Sequence, residues 1–258
     1  MTKLALKIAI PLLILSITFL YGYNALSKGQ QKSEAITNLN ERSITERDRK
    51  HSRLFPRYKT GKKLSSQAFL EQESKSKQLP NEIVVKRHPP VIDIALERPC
   101  PKSPKPWLVG LAHAADVIVV GTIKDKIASQ LTEDEEFLFS EYSIVVEQVI
   151  KDNPSAPIGI GSAINVVRPG GRAQLHGKVI SAVIPSFPHF LGEERYILFL
   201  KFISDTQSYQ AFSNGSFLIE DEVVKTPKAA QPKHDQQAFI AEVKGAMTSE
   251  LCQNVILN

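Results

Sequence analysis

The chain has 258 residues, 42% of them apolar and 23% charged, a composition that excludes a wholly disordered chain and allows one or two globular domains. Its charge is unevenly spread: residues 1–90 hold 17 Lys+Arg against 7 Asp+Glu, and residues 91–258 hold 15 against 20. The half with foldable patterning is thus the acidic one, which argues against nucleic acid as its partner in spite of the basic total.

Lys3 and Lys7 precede a run with no charge from Ile8 to Leu26. Its length suits a helix across a hydrocarbon core, and Tyr21 and Tyr23 fall where an interfacial aromatic belt lies. Residues 1–26 read as a transmembrane anchor or signal segment. A retained anchor makes a single-pass membrane protein with its C-terminal domain outside the cytoplasm. The alternative is secretion after cleavage near Ala25-Leu26-Ser27.

Residues 27–90 are polar and basic, with 13 Lys+Arg from Lys28 to Lys77. A short helix can open at Ser43 and another can form around Phe69 and Leu70, but neither has enough apolar residues to hold a core. The stretch reads as a disordered, flexible linker. It would serve either as a solvated tether or as a surface for anionic lipid headgroups or wall polymers.

Residues 91–258 read as one mainly β domain. Proline is dense from Pro89 to Pro106 and marks the boundary. A short helix follows from Lys105 to Ala115, with Pro106 in its first turn, where a missing N–H costs nothing. Strands are expected at 116–123, 141–150, 163–168, 178–184, 195–203, 209–212 and 216–224. The strand at 195–203 is apolar on both faces, which predicts a central position. Asn214-Gly215 and Asp221-Glu222 read as turns. Phe239, Ile240, Val243 and Met247 give residues 235–247 a helical stripe. Strands with no helices between them, and one helix at each end, predict a small closed or nearly closed antiparallel barrel.

Cys100 and Cys252 bracket this domain. Domain termini often lie close together, so the two can form a disulfide in an oxidising compartment; two separate buried thiols are the alternative. Neither has metal-ligand spacing, and no cofactor motif appears. Gly159-Ile160-Gly161-Ser162 has no following Lys and reads as a turn, and Glu133-Asp134-Glu135-Glu136 lacks the ligand spacing of a calcium loop.

The binding candidates are Arg172, in Pro169-Gly170-Gly171-Arg172, and Phe187, His189 and Phe190, in a proline-stiffened loop. Aromatics on such a loop either stack on a ligand or plug the end of the barrel. His176 and His189 flank the strand at 178–184 and, with Asp116 or Glu193, would be the residues of a metal or acid–base site.

Ala114 to Thr122, Tyr142 to Val146, Arg168-Pro169-Gly170-Gly171 and Phe190 to Leu200, in that order, resemble a type of exported bacterial domain. In strand order it is similar to the OB-like barrels of tissue-inhibitor and netrin modules. The likeness covers roughly Trp107 to Val224 and implies a fold without implying catalytic residues. The chain lacks the cysteine-rich N-terminus that inhibitor modules use. The function expected from these readings is a membrane-anchored extracytoplasmic binding module without catalysis, recognising an envelope protein or polymer. The alternatives are an envelope hydrolase or metal-dependent enzyme using His176, His189 and a carboxylate, and a structural part of a membrane assembly.

Overall fold

A computed structural model of the protein describes residues 36–41, 43–55, 63–75, 82–86, 105–187, 190–225 and 234–249. In chain order they form β1 (Thr37–Asn38), α1 (Glu46–Ser52), α2 (Gln67–Lys75), β2 (Glu82–Lys86), α3 (Pro106–Ala114) and β3 (Val117–Leu131). Then come β4 (Leu138–Lys151), β5 (Ala163–Pro169), β6 (Gly171–Leu175), β7 (Lys178–Val183) and β8 (Arg195–Ile203). The series ends with β9 (Ser208–Glu220), β10 (Val223–Lys225), β11 (His234–Asp235) and α4 (Gln236–Thr248).

The two-residue period of the strands sorts their apolar side chains between two cores. On β3, Val117, Val119 and Ile123 enter one core; Ile118 and Val120 enter the other. On β8, Tyr196, Leu198 and Leu200 join the first, while Ile197 and Phe199 join the second. The second core is closed by α3 and α4 through Leu108, Leu111, Phe239 and Val243. That cover explains why β8 is apolar on both faces. The strand is also paired on both edges, with β3 and β9.

The large sheet has seven strands in the order β11-β10-β9-β5-β4-β3-β8, with β9 also pairing β8. This corrects the expected small closed barrel. The parallel junction of β5 with β9 is only two pairs long, Val166↔Tyr209 and Val167↔Gln210, so the strands are joined there only briefly. Asn214-Gly215, expected as a turn, lies inside β9. Ser208–Ala211 of β9 pair with β8, and so do residues 216–219, while the intervening residues bulge out. Asn214 sits there at φ 55°, a conformation asparagine tolerates. Asp221 and Glu222 do form the expected turn, both at positive φ.

The basic stretch also needs correcting. Its described parts are built into the domain. A second sheet has the order β1-β6-β7-β2, in which β1 runs parallel to β6 and β2 parallel to β7. Leu64, Leu70 and Ile83 are fully buried against Leu138, Ala173 and Ile180. Leu64 N–H also donates to the Glu135 carbonyl (2.8 Å), so the acidic β3–β4 loop is docked on this stretch. The chain passes from one sheet to the other at Gly170-Gly171, both at positive φ. A Cβ on Gly171 would lie 1.9 Å from Ser140 Oγ, so only glycine fits the crossing.

Among the described residues no helix is long and apolar enough to cross a membrane. The run from Ile8 to Leu26, Cys100, Cys252 and His189 all lie outside the described residues.

Candidate functional site

Helix α1 opens with a capping box: Asp48 N–H donates to Thr45 Oγ1, and Thr45 N–H to the Asp48 carboxylate. One turn on, the helix presents His51 to the large sheet. Nε2 of His51 lies 3.0 Å from both Thr206 Oγ1 and Ser208 Oγ, and these two hydroxyls are 2.6 Å apart. Nδ1 is 3.8 Å from a Glu141 carboxylate oxygen, and Glu141 is ion-paired to Arg47 on the same helix. The ring stands edge-on to Phe139. Lys50 Nζ reaches the Asp205 carbonyl (3.3 Å), and Ser52 Oγ accepts from Glu133 N–H (2.8 Å). The helix is thus clamped between the β8–β9 turn and the β3–β4 loop.

Hydroxyl, imidazole and carboxylate in this order resemble the relay that activates a nucleophile. Here the order serves docking. His51 and Ser208 are both 0% exposed, so no substrate carbonyl can approach. Lifting α1 to admit one would remove the base with it. Burial lowers the His51 pKa, opposed by the charge of Glu141 and reinforced by that of Arg47, which keeps the ring neutral near pH 7. Glu141 favours the tautomer with its proton on Nδ1, leaving Nε2 to accept from one hydroxyl, to which the other donates.

The residues singled out from the sequence are dispersed. Phe187 and Phe190 are buried, the plugging arrangement of the two that the sequence allowed. Phe190 packs on Tyr142 and Tyr196 with ring centroids 5.2 and 4.9 Å away. The buried Arg168 guanidinium covers Phe190 at 5.2 Å and donates to the Phe187 carbonyl (2.6 Å). An arginine holding the loop backbone from inside fixes both rings as a plug. Arg172, on β6, is half-buried and 3.2 Å from the Glu82 carboxylate. His176 is exposed on the β6–β7 turn, while Asp116 is engaged by Lys201 Nζ (2.8 Å) and by Phe202 N–H (2.9 Å). Among the described residues no three His, Cys, Asp or Glu side chains are grouped to hold a metal ion.

A cleft of about 350 Å³ opens where the β5–β9 pairing stops. Asn165, Phe202, Gln207 and Tyr209 line it, with Pro157 and Ile158 from the β4–β5 loop. The Phe202 and Tyr209 rings pack with centroids 5.4 Å apart.

No family model matches this chain, and no curated protein matches it either.

Proposed function

We propose that the chain is a membrane-anchored extracytoplasmic binding module, with the run from Ile8 to Leu26 as its anchor and an OB-like domain as its binding part. The observation that carries this reading is the His51 latch. It ties described residues of the stretch that follows the apolar run to the domain's own sheet, and it uses hydroxyl, imidazole and carboxylate groups for docking. The described parts of that stretch thus belong to the folded domain rather than to a free tether. The OB-like reading draws support from the order in which strands meet: β3 to β4, β4 to β5, β5 parallel to β9, β9 to β8, and β8 back to β3. That neighbour order is the one implied by the resemblance to tissue-inhibitor and netrin modules.

Intact mass of the native protein, alkylated before and after reduction, tests the reading. A mass that includes residues 1–26, with Cys100 and Cys252 blocked until reduction, is expected of an anchored domain outside the cytoplasm. A mass lacking those residues would replace the anchor by secretion. Free thiols on the uncleaved chain would overturn the extracytoplasmic placement.

A further inference from the structure

The latch makes no use of the cleft at the β5–β9 junction, whose chemistry is that of a binding site. Its volume lies within the roughly 300–1,000 Å³ typical of small-molecule sites. The Tyr209 hydroxyl and the Asn165 amide have no hydrogen-bond partner among the described residues. Gln207 gives an amide N–H to the Ser204 carbonyl (2.8 Å) and keeps its oxygen as an acceptor. Tyr209 stays a donor at neutral pH, because burial and then the charge of Asp152 raise its pKa. The polar groups are thus uncharged, and no Lys, Arg or His is among the described lining residues. That disfavours phosphate, sulfate and carboxylate ligands.

We infer that this cleft binds a neutral sugar unit of an oligosaccharide. Sugar hydroxyls both donate and accept, which matches a phenol, an amide and an amide oxygen that lack partners. The C–H face of a pyranose packs on an aromatic ring, and the half-buried Phe202 supplies one beside Pro157 and Ile158. A purely apolar ligand would bury the Tyr209 and Asn165 polar groups without satisfying them. The groups are also held in place before any ligand arrives: Tyr209 is paired with Val166, and Asn165 with Ser143. The inference rests on reading the domain as a binding module and adds the class of ligand.

The test uses the full chain in lipid nanodiscs, titrated separately with maltotriose and tri-N-acetylchitotriose and followed by saturation-transfer NMR. The expected result is saturable transfer to sugar ring C–H protons for at least one of them. Asn165→Ala, at a half-buried position, and Tyr209→Phe, which keeps the ring, should each weaken binding about tenfold. Ile160→Ser, at the exposed tip of the β4–β5 loop, should leave it unchanged. No saturable transfer from either sugar would overturn the inference, and so would affinities unchanged in both cleft variants, or capture of a proline-rich peptide with both sugars ignored. Such failures would leave the binding-module reading standing. A sugar bound and then cleaved would uphold the sugar site and overturn the non-catalytic reading.

Discussion

Replacing Gly171 by alanine tests the account of how the chain changes sheets. The new Cβ would lie 1.9 Å from Ser140 Oγ and 3.1 Å from Ser140 Cβ, so the hydroxyl has to turn away. That hydroxyl is fully buried and bonds to Ser129 Oγ (2.7 Å) and the Gly170 carbonyl (2.9 Å). Breaking these buried hydrogen bonds costs about 1–3 kcal/mol. Holding an L-residue at φ 128° adds about 1–3 kcal/mol of backbone strain. The sum, about 2–6 kcal/mol, is a large share of the roughly 5–15 kcal/mol that stabilises a typical domain. Trp107 is the chain's single tryptophan and packs on Phe217 with ring centroids 6.0 Å apart, so its emission during urea unfolding reports the domain. Ser140→Ala supplies the decisive control, because it removes the atom in the way. In the double variant the cost of Gly171→Ala should fall by roughly 1–2 kcal/mol, with the strain remaining. A single variant within about 0.5 kcal/mol of the parent, or no coupling to Ser140, would refute the reasoning.

The latch predicts a pH dependence of known sign. The folded state lowers the His51 pKa, so between that value and about 6.5 the unfolded chain binds a proton that the folded chain refuses. This contribution to stability is complete above about pH 6.5 and declines as pH falls below it; thermal unfolding at pH 7.5 and 5.5 should show a drop that His51→Gln flattens. Glu141→Gln removes the charge paired with Arg47, whose side chain is partly exposed, and should cost about 1–2 kcal/mol by urea unfolding, between the values for exposed and buried pairs. Leu70→Ala empties a fully buried position beneath the second sheet and should cost about 2–4 kcal/mol, with hydrogen exchange speeding up in β2 before β8. Phe190→Ala removes the plug and should cost about 3–5 kcal/mol in the same unfolding assay.

Much of the large sheet was legible in the sequence because its signals are local. β8 begins and ends at the residues its alternation indicated, and α3 and α4 fall within one residue of their expected limits. Strand β6 is hidden in the sequence because Gly171–Leu175 begins on the second glycine of a pair that reads as a stop. The bulge in β9 was mistaken for a turn because Asn-Gly is common to both. The ordered parts of the basic stretch were invisible for another reason. Leu64, Leu70 and Ile83 show no period of their own, and their cover, Leu138, Ala173 and Ile180, lies far along the chain. The latch has the same character: His51, Glu141 and Ser208 share no motif, and Glu141 looked like any polar residue on a strand. Its one local trace is the Thr45–Asp48 capping pattern at the head of α1. Phe187 and Phe190 could be read from sequence as either ligand-facing or plugging, and the buried Arg168 that decides the matter sits outside their loop.

The parallel pairing of β2 with β7 also imposes an order in time. Ile83 and its register partner Ile180 are 97 residues apart (180 − 83). At synthesis rates of about 5–20 residues per second, β2 waits about 5–20 s for the strand it pairs with. His51 waits longer, since Ser208 follows 157 residues after it. The N-terminal third of the domain is therefore made well before its partners, with Ile83 and Val85 on an unpaired strand in the interval. Whatever carries the nascent chain must keep that strand from pairing elsewhere until β7 arrives.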